Sequence, residues 1–332
     1  MAEHNPGGDV NGYDVIGDLH GQAGKLEALL AAMGYVRTGR GYRPPQGRQA
    51  LFLGDLIDRG GDQLRVLEIV WSMIEAGHAR CVMGNHEFNA IGYATDDPRN
   101  PGERLRPNRG ASAKCAKNRA QHAAFIAAVG DGTATHAQWI ERFRTLPVFL
   151  DLGGLRAVHG CWDDASAAAL RTAGWDGTRA LDDAILFAAC APGSVLECAR
   201  KRLTCGVEIP LTEGRSIRDK SGHEHFEVRV ANWRHWATAF HEVALVPAGQ
   251  EDQLAGMDWP SGFMLDRIEG APVFIGHHWF DGPQPVIESP KLACLDWSAG
   301  KGGPLVAYRW DGEALLSNDK LVWAGVGVGA GG

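Results

Sequence analysis

Near its start the chain repeats one event three times: a short apolar run stops at a glycine and a polar side chain follows at once. The three stretches read "YDVIGDLHG", "QALFLGDLIDRG" and "ARCVMGNHE". Between them lie segments of a different period. "QAGKLEALLAAMGY" sets Leu26, Leu29, Leu30 and Met33 on one helical face, with Gly34 as a C-cap. "DQLRVLEIVWSMIEAG" does the same with Leu64, Leu67, Ile69, Val70 and Ile74, and Gly77 ends it. Strand, turn and helix in alternation specify βαβ units and a largely parallel sheet. In such sheets ligands bind just beyond the carboxyl ends of the strands, where these polar residues fall.

The rest of the chain is less regular. Residues 95–135 are polar and rich in Pro, Gly and Arg, an inserted excursion with helical parts. "HAQWIERFRTLPVFLDLGGLRAVHG" returns to a helix and then two β-like runs. Residues 161–270 mix helical stretches, about 178 to 203, with polar ones. "PVFIGHHW" is one more apolar run, and "KLACLDWSAGKGGPLVAYRWDG" reads as two strands around a glycine-rich turn. The expected organisation is one domain over 1–325, with insertions at 95–135 and 161–270 and a flexible tail at 326–332.

Composition excludes some classes. A net charge of −7 leaves no broad basic field for phosphates, so no stable nucleic-acid partner is expected. No apolar run approaches the roughly 18 residues that span a bilayer. Seven cysteines without a CxxC pair read as reduced thiols in a cytoplasmic protein.

The polar residues that end the apolar runs are Asp18 and His20; Asp55, Asp58 and Arg59; Asn85 and His86; His159; and His277 with His278. Mixed oxygen and imidazole donors suit Mn, Fe or Zn better than Mg or Ca. They are too many for one tetrahedral zinc. They suit two ions sharing a carboxylate, the arrangement used for displacement at phosphorus.

"GDLHG", "GDLIDRG", "GNHE", a later "VHG" and a later "GHH" together resemble the signature of the calcineurin-like metallophosphoesterases. Within them the sequence is similar to the phosphoprotein phosphatase branch, which includes Ser/Thr protein phosphatases and bacterial diadenosine tetraphosphatases. The resemblance implies an α/β (α+β) fold: a β-sandwich of two mixed sheets flanked by helices, with helical insertions. That replaces the doubly wound sheet, which suits only the first half. It also implies roles. Asp18 and His20 would bind one metal, Asp55 would bridge, and Asn85, His159 and His277 would complete the second site. Asn85 would also face substrate. His86 would be the general acid, oriented by Asp58, and Arg59 would clamp the phosphoryl oxygens. Glu87 would be structural, at a helix start where the dipole favours a carboxylate.

The implied activity is hydrolysis of a phosphomonoester, in a phosphoprotein or a small molecule, by in-line attack of a hydroxide held between two metal ions. The alternatives are a dinucleoside polyphosphate hydrolase and a catalytically degenerate metal- or partner-binding module. The chain also departs from the pattern. Cys161 follows "VHG", and "GHH-W" stands where many bacterial relatives have "GHT-P". His278 is therefore a candidate substrate contact, and Arg229 and Arg234 are candidates for a second phosphate-binding arginine. Seven basic residues between Arg99 and Arg119 could steer a polyanion. Trp162, Trp233, Trp236 and Trp279 could stack a base.

Overall fold

The first three apolar runs become neighbouring strands. Gly12–Ile16 pairs in parallel with Arg48–Phe52, which pairs in parallel with Ala79–Cys81. The helices Ala23–Ala32 and Gln63–Glu75 make the crossovers. Both end alike. Tyr35 N–H donates to the Leu30 carbonyl and Gly34 N–H to that of Ala31; His78 and Gly77 repeat this with Met73 and Ile74. Gly34 and Gly77 take the left-handed φ that closes such a turn, 85° and 71°. Gly34 thus stands one place beyond the cap residue, which is Met33. The computed structural model describes residues 10–211, 215–218, 224–246, 250–260, 262–325 and 329–330.

On the other side of Gly12–Ile16 the chain returns late. Leu305–Trp310, Leu321–Ala324 and Gly329–Ala330 add antiparallel strands and complete a six-stranded mixed sheet. Of the tail expected at 326–332, only Gly329–Ala330 are among the described residues. A second mixed sheet of four strands joins Leu292–Cys294, Val273–Ile275 and Arg156–Val158 in parallel and Phe149–Asp151 antiparallel.

The two sheets pack face to face. Val15, Leu51 and Leu53 of the first meet Ala157, Phe274 and Ala293 of the second in one buried cluster. The Phe274 and Tyr308 rings are 5.2 Å apart there. Successive side chains in a strand point to opposite faces, so Ile16, Ala50 and Phe52 turn the other way and pack against the helices. Burial on both faces explains why these strands are continuous apolar runs rather than alternating ones.

The described residues of the segments read as insertions, 95–135 and 161–270, lie outside the strands of these two sheets. Helices Ala113–Gln121 and Ala123–Val129 occupy the first. In the second, the helical stretches expected over about 178–203 are the helices Asp183–Ala189 and Val195–Cys205. Pro192 and Gly193 break the run, and Asp182 and Ser194 each cap a new start with a side-chain oxygen. A three-stranded antiparallel sheet follows, with Glu227–Val230 between Val207–Pro210 and Ala244–Leu245. It has its own small core, including Ile209, Val228, Val230 and Phe240. Among the described residues no helix is long and apolar enough to cross a membrane.

Candidate metal centre

Strand ends from both sheets deliver the polar residues to one edge, and Asp55 is their hub. Its Oδ1 lies 3.2 Å from His159 Nε2, and its Oδ2 lies 3.7 Å from Nε2 of both His20 and His86. His159 Nε2 is also 3.2 Å from Asn85 Oδ1. Two groups have all their donor atoms within 4.8 Å of one another: His20, Asp55 and His86, and Asp55, His159 and His277. Asp18 sits beside them and accepts the His277 N–H at 3.2 and 3.3 Å.

The tautomers follow from the outer contacts. His20 Nδ1–H donates to the Ile57 carbonyl at 2.9 Å and His159 Nδ1–H to that of Leu53 at 2.7 Å. In each ring Nε2 is thereby left to face the centre. His20 Nε2 and His277 Nε2 are buried with no hydrogen-bond partner. Burial, with His86 nearby, lowers the His20 imidazole to about 3, and burial and Arg229 hold His277 well below its ordinary range. Burial and the neighbouring Asp296 raise the Asp18 carboxyl. Burial opposes charge on His159, yet Asp55 and Asp18 outweigh it and push that imidazole up to about 10. Crowded carboxylates, inward neutral imidazoles and one imidazole drawn into the cation's place all fit positive ions. The donor set is of the kind that takes Mn, Fe or Zn.

The backbone is strained here. Among the described residues, the non-glycine positive φ angles are those of His20, Asp55, Asp58, Arg59, His277, Trp279 and Ser298, between 43° and 70°. Buried side chains hold these loops. The Glu87 carboxylate accepts N–H bonds from Asp55 at 2.9 Å, Leu56 at 2.8 Å and Gly84 at 2.9 Å. Glu87 is thus a brace between two strand-end loops more than a group at the helix dipole. Burial and Asp55 push its carboxyl up to about 7. The Gln63 amide accepts from Asp58 N–H at 2.8 Å and donates to the Gly60 carbonyl at 2.6 Å. Asp296 accepts from Trp279 N–H at 2.9 Å and Ser298 N–H at 3.0 Å. A Cβ on Gly84 would lie 2.2 Å from Asp55 Oδ1, so only glycine lets the loops approach.

Beside the hub, His86 Nδ1 bonds Asp58 Oδ2 at 2.6 Å. The other Asp58 oxygen bonds His122 Nδ1 at 2.9 Å. Burial raises Asp58, but the bonds from His122 and His86 outweigh it and hold the carboxyl at about 2. Burial lowers His86, and Asp55 and Asp58 more than reverse this, so its imidazole is raised. His122 was not among the residues the sequence singled out. It joins two short helices in the first insertion, and no local spacing marks a contact with Asp58.

The remaining candidates separate. Arg59 stands with its guanidinium carbon 5.4 Å from the centre of the Trp279 ring. Arg229 donates to the His277 carbonyl at 3.3 Å and to Glu208 at 3.2 Å. Arg234 is engaged by Glu288 and by the Glu242 carbonyl. His278 Nε2–H donates to the Gly160 carbonyl at 3.0 Å, and its ring packs 5.1 Å from that of Trp233. Much of the basic run is tied to its own surroundings: Arg99 pairs with Asp97, Arg106 with Asn89, and Arg119 with the Asn108 carbonyl.

Two mixed sheets bring to their common edge a histidine and carboxylate cluster that could hold metal ions. Residues 13–169 match the calcineurin-like phosphoesterase family model. It is similar to bis(5'-nucleosyl)-tetraphosphatase PrpE [asymmetrical] of Oceanobacillus iheyensis, 38% identical over 73 residues, 22% of this chain and 29% of the relative. The protein of that name from Bacillus subtilis is 35% identical over 86 residues, 26% of this chain and 35% of the relative. The chain thus spans about a third of the curated relatives it matches. Among solved structures, a protein serine/threonine phosphatase from Saccharomyces cerevisiae has a TM-score of 0.45 at 14% identity, covering 96% of this chain and 80% of its own. A cold-active protein-tyrosine phosphatase of Shewanella has a TM-score of 0.41 at 17% identity, covering 92% and 81%. At TM-scores this low neither likeness bears on activity.

Proposed function

We propose that the protein is a metal-dependent phosphoester hydrolase. The observation that carries this is the frustrated centre: buried carboxylates side by side, with His20 Nε2 and His277 Nε2 buried and unpartnered. In this reading Asp18, His20, Asp55, Asn85, His159 and His277 would hold two transition-metal ions. Ions there would supply Lewis-acid polarisation of the phosphoryl oxygens and activation of water at neutral pH. Asn85 adds a neutral oxygen donor and does not quench that polarisation. Arg59 grips the phosphoryl oxygens with a guanidinium fork.

His86 serves as the acid. Asp58 fixes its Nδ1, so Nε2 presents the proton to the departing oxygen. The raised imidazole holds that proton more firmly than an ordinary histidine does. His122, on the second oxygen of Asp58, keeps the carboxylate aligned. The leading substrate is a phosphomonoester, in a phosphoprotein or a small molecule. A dinucleoside polyphosphate is the second reading, favoured by the names of the relatives above.

The test is turnover of an aryl phosphate with added manganese. His86→Ala is expected to lower kcat by about 10²–10⁴-fold, and Asp55→Asn to abolish activity. Metal-loaded protein inert on aryl phosphates, phosphopeptides and dinucleoside polyphosphates alike would refute the hydrolase reading. A comparison of diadenosine tetraphosphate with a phosphopeptide separates the two substrate readings.

A further inference from the structure

We propose that Lys25 is a positioning residue: from the first crossover helix it fastens the loop 298–303 against Arg59 and so sets how firmly a phosphoryl group is held. This rests on the phosphoesterase reading above, in which Arg59 grips that group.

Lys25 lies half-buried on Ala23–Ala32. Its Nζ donates to the Ala299 carbonyl at 2.7 Å and to the Gly303 carbonyl at 2.8 Å. Ala299 opens the turn Ala299–Lys301, and Gly303 lies just beyond its end. One ammonium thus ties both sides of a loop 274 to 278 positions away. Burial lowers the ammonium, and no carboxylate among the described residues counters this. Glu27, on the same helix, is taken up by Arg65. A cation that exchanges water for two carbonyl oxygens is an anchor for the loop and not a surface charge.

The middle of the loop faces the centre. A Cβ on Gly300 would lie 2.8 Å from Arg59 Cδ and 2.9 Å from His20 Cβ. Gly300 lacks the left-handed φ that elsewhere calls for glycine, so what this position requires is space. At the entrance Asp296 accepts the Ser298 N–H at 3.0 Å. The loop is therefore held at its entrance by Asp296 and at its exit by Lys25, and it meets Arg59 between them.

Arg59 depends on such support. Its φ is 68°, a strained value for arginine. Among the described residues its guanidinium has the Trp279 ring at 5.4 Å, but no hydrogen bond or ion pair. Asp296 feels its charge, yet that carboxylate is engaged by the N–H groups of Trp279 and Ser298. Packing on the methylene stem is then what holds the side chain in place. A guanidinium fork already held in place loses less freedom when it grips an anion.

The test measures binding, so it does not depend on turnover. Dissociation constants for inorganic phosphate on manganese-loaded protein, and for manganese itself, are measured by calorimetry. Lys25→Met keeps the stem and removes the ammonium. It is expected to weaken phosphate about tenfold, the loss of one charged contact, and to leave manganese binding unchanged. Gly300→Ala keeps the anchor but crowds the Arg59 stem, and is also expected to weaken phosphate. In an Arg59→Ala background Lys25→Met is expected to cost less than about twofold more, because the two residues act as one unit. Phosphate affinity unchanged in either Lys25→Met or Gly300→Ala, additive losses in the Arg59→Ala background, an equal loss of manganese in Lys25→Met, or wild type that binds no phosphate would each overturn the proposal. The expected binding pattern in protein that turns over no phosphoester would refute the hydrolase reading and leave the role of Lys25 standing.

Discussion

Asp14 lies within the first strand and Asp18 just beyond its end, and both are buried. Their surroundings are opposite. Asp14 accepts from Tyr35 Oη at 2.9 Å, from Arg48 Nε and Nη2 at 2.9 and 2.7 Å, and from Arg309 Nε at 3.1 Å. Asp18 has the His277 N–H and the shared His159 imidazole and, beside them, the carboxylates of Asp296 and Asp55. A carboxylate buried for architecture carries its own countercharge. In the proposed metal centre a buried carboxylate is left with less of it, and an ion would make up the difference.

That contrast breaks most easily at Asp14. Asp14→Ala leaves Arg48 and Arg309 facing an empty buried position and is expected to lower stability by about 3–5 kcal/mol in chemical denaturation. Tyr35→Phe removes one bond to the charged group and is expected to remove about 2 kcal/mol. Asp18→Asn is the smallest change and has the opposite sign. In metal-free protein it is expected to raise stability, by on the order of 1 kcal/mol, because it relieves repulsion at a functional site. A loss at Asp18→Asn as large as that at Asp14→Ala would erase the contrast.

Protons sharpen the same comparison. Burial and Asp296 raise the Asp18 carboxyl above its ordinary value of 3.8 in the folded chain. Above that value the folded state holds a proton that the unfolded state has released. Stability of metal-free protein therefore falls as pH rises from the ordinary carboxyl range through the raised folded value. Asp18→Asn is expected to flatten that slope, as read from denaturation midpoints across the acidic range.

Much of this was legible because it is local. The helices Ala23–Ala32 and Gln63–Glu75 follow from apolar spacing, and each strand end announces itself by a glycine and a polar residue. Asp18, Asp55, Asn85, His159 and His277 converge because chain order and sheet order bring strand ends together. The two-sheet arrangement is not local. Leu305–Trp310 pairs with Gly12–Ile16 across nearly the whole chain, and only the family resemblance anticipated it. His122 was missed for the same reason, since its partner Asp58 is 64 positions away. The role of Glu87 as a brace was hidden too, because a carboxylate early in a helix has a sufficient local explanation. The small sheet around Glu227–Val230 follows no period strong enough to read, and polar stretches interrupt it.

The central claim is that the frustrated edge is a metal centre, and thermal melting of metal-stripped protein against added manganese tests it most directly. Two equivalents are expected to bind. At about a hundredfold excess over the dissociation constant, binding adds roughly 2.7 kcal/mol, a rise in Tm of about 5 °C or more. Asp55→Asn is expected to lose most of that rise. A wild-type melting curve that manganese, iron and zinc all leave unmoved, or an equal rise in Asp55→Asn, would contradict the account.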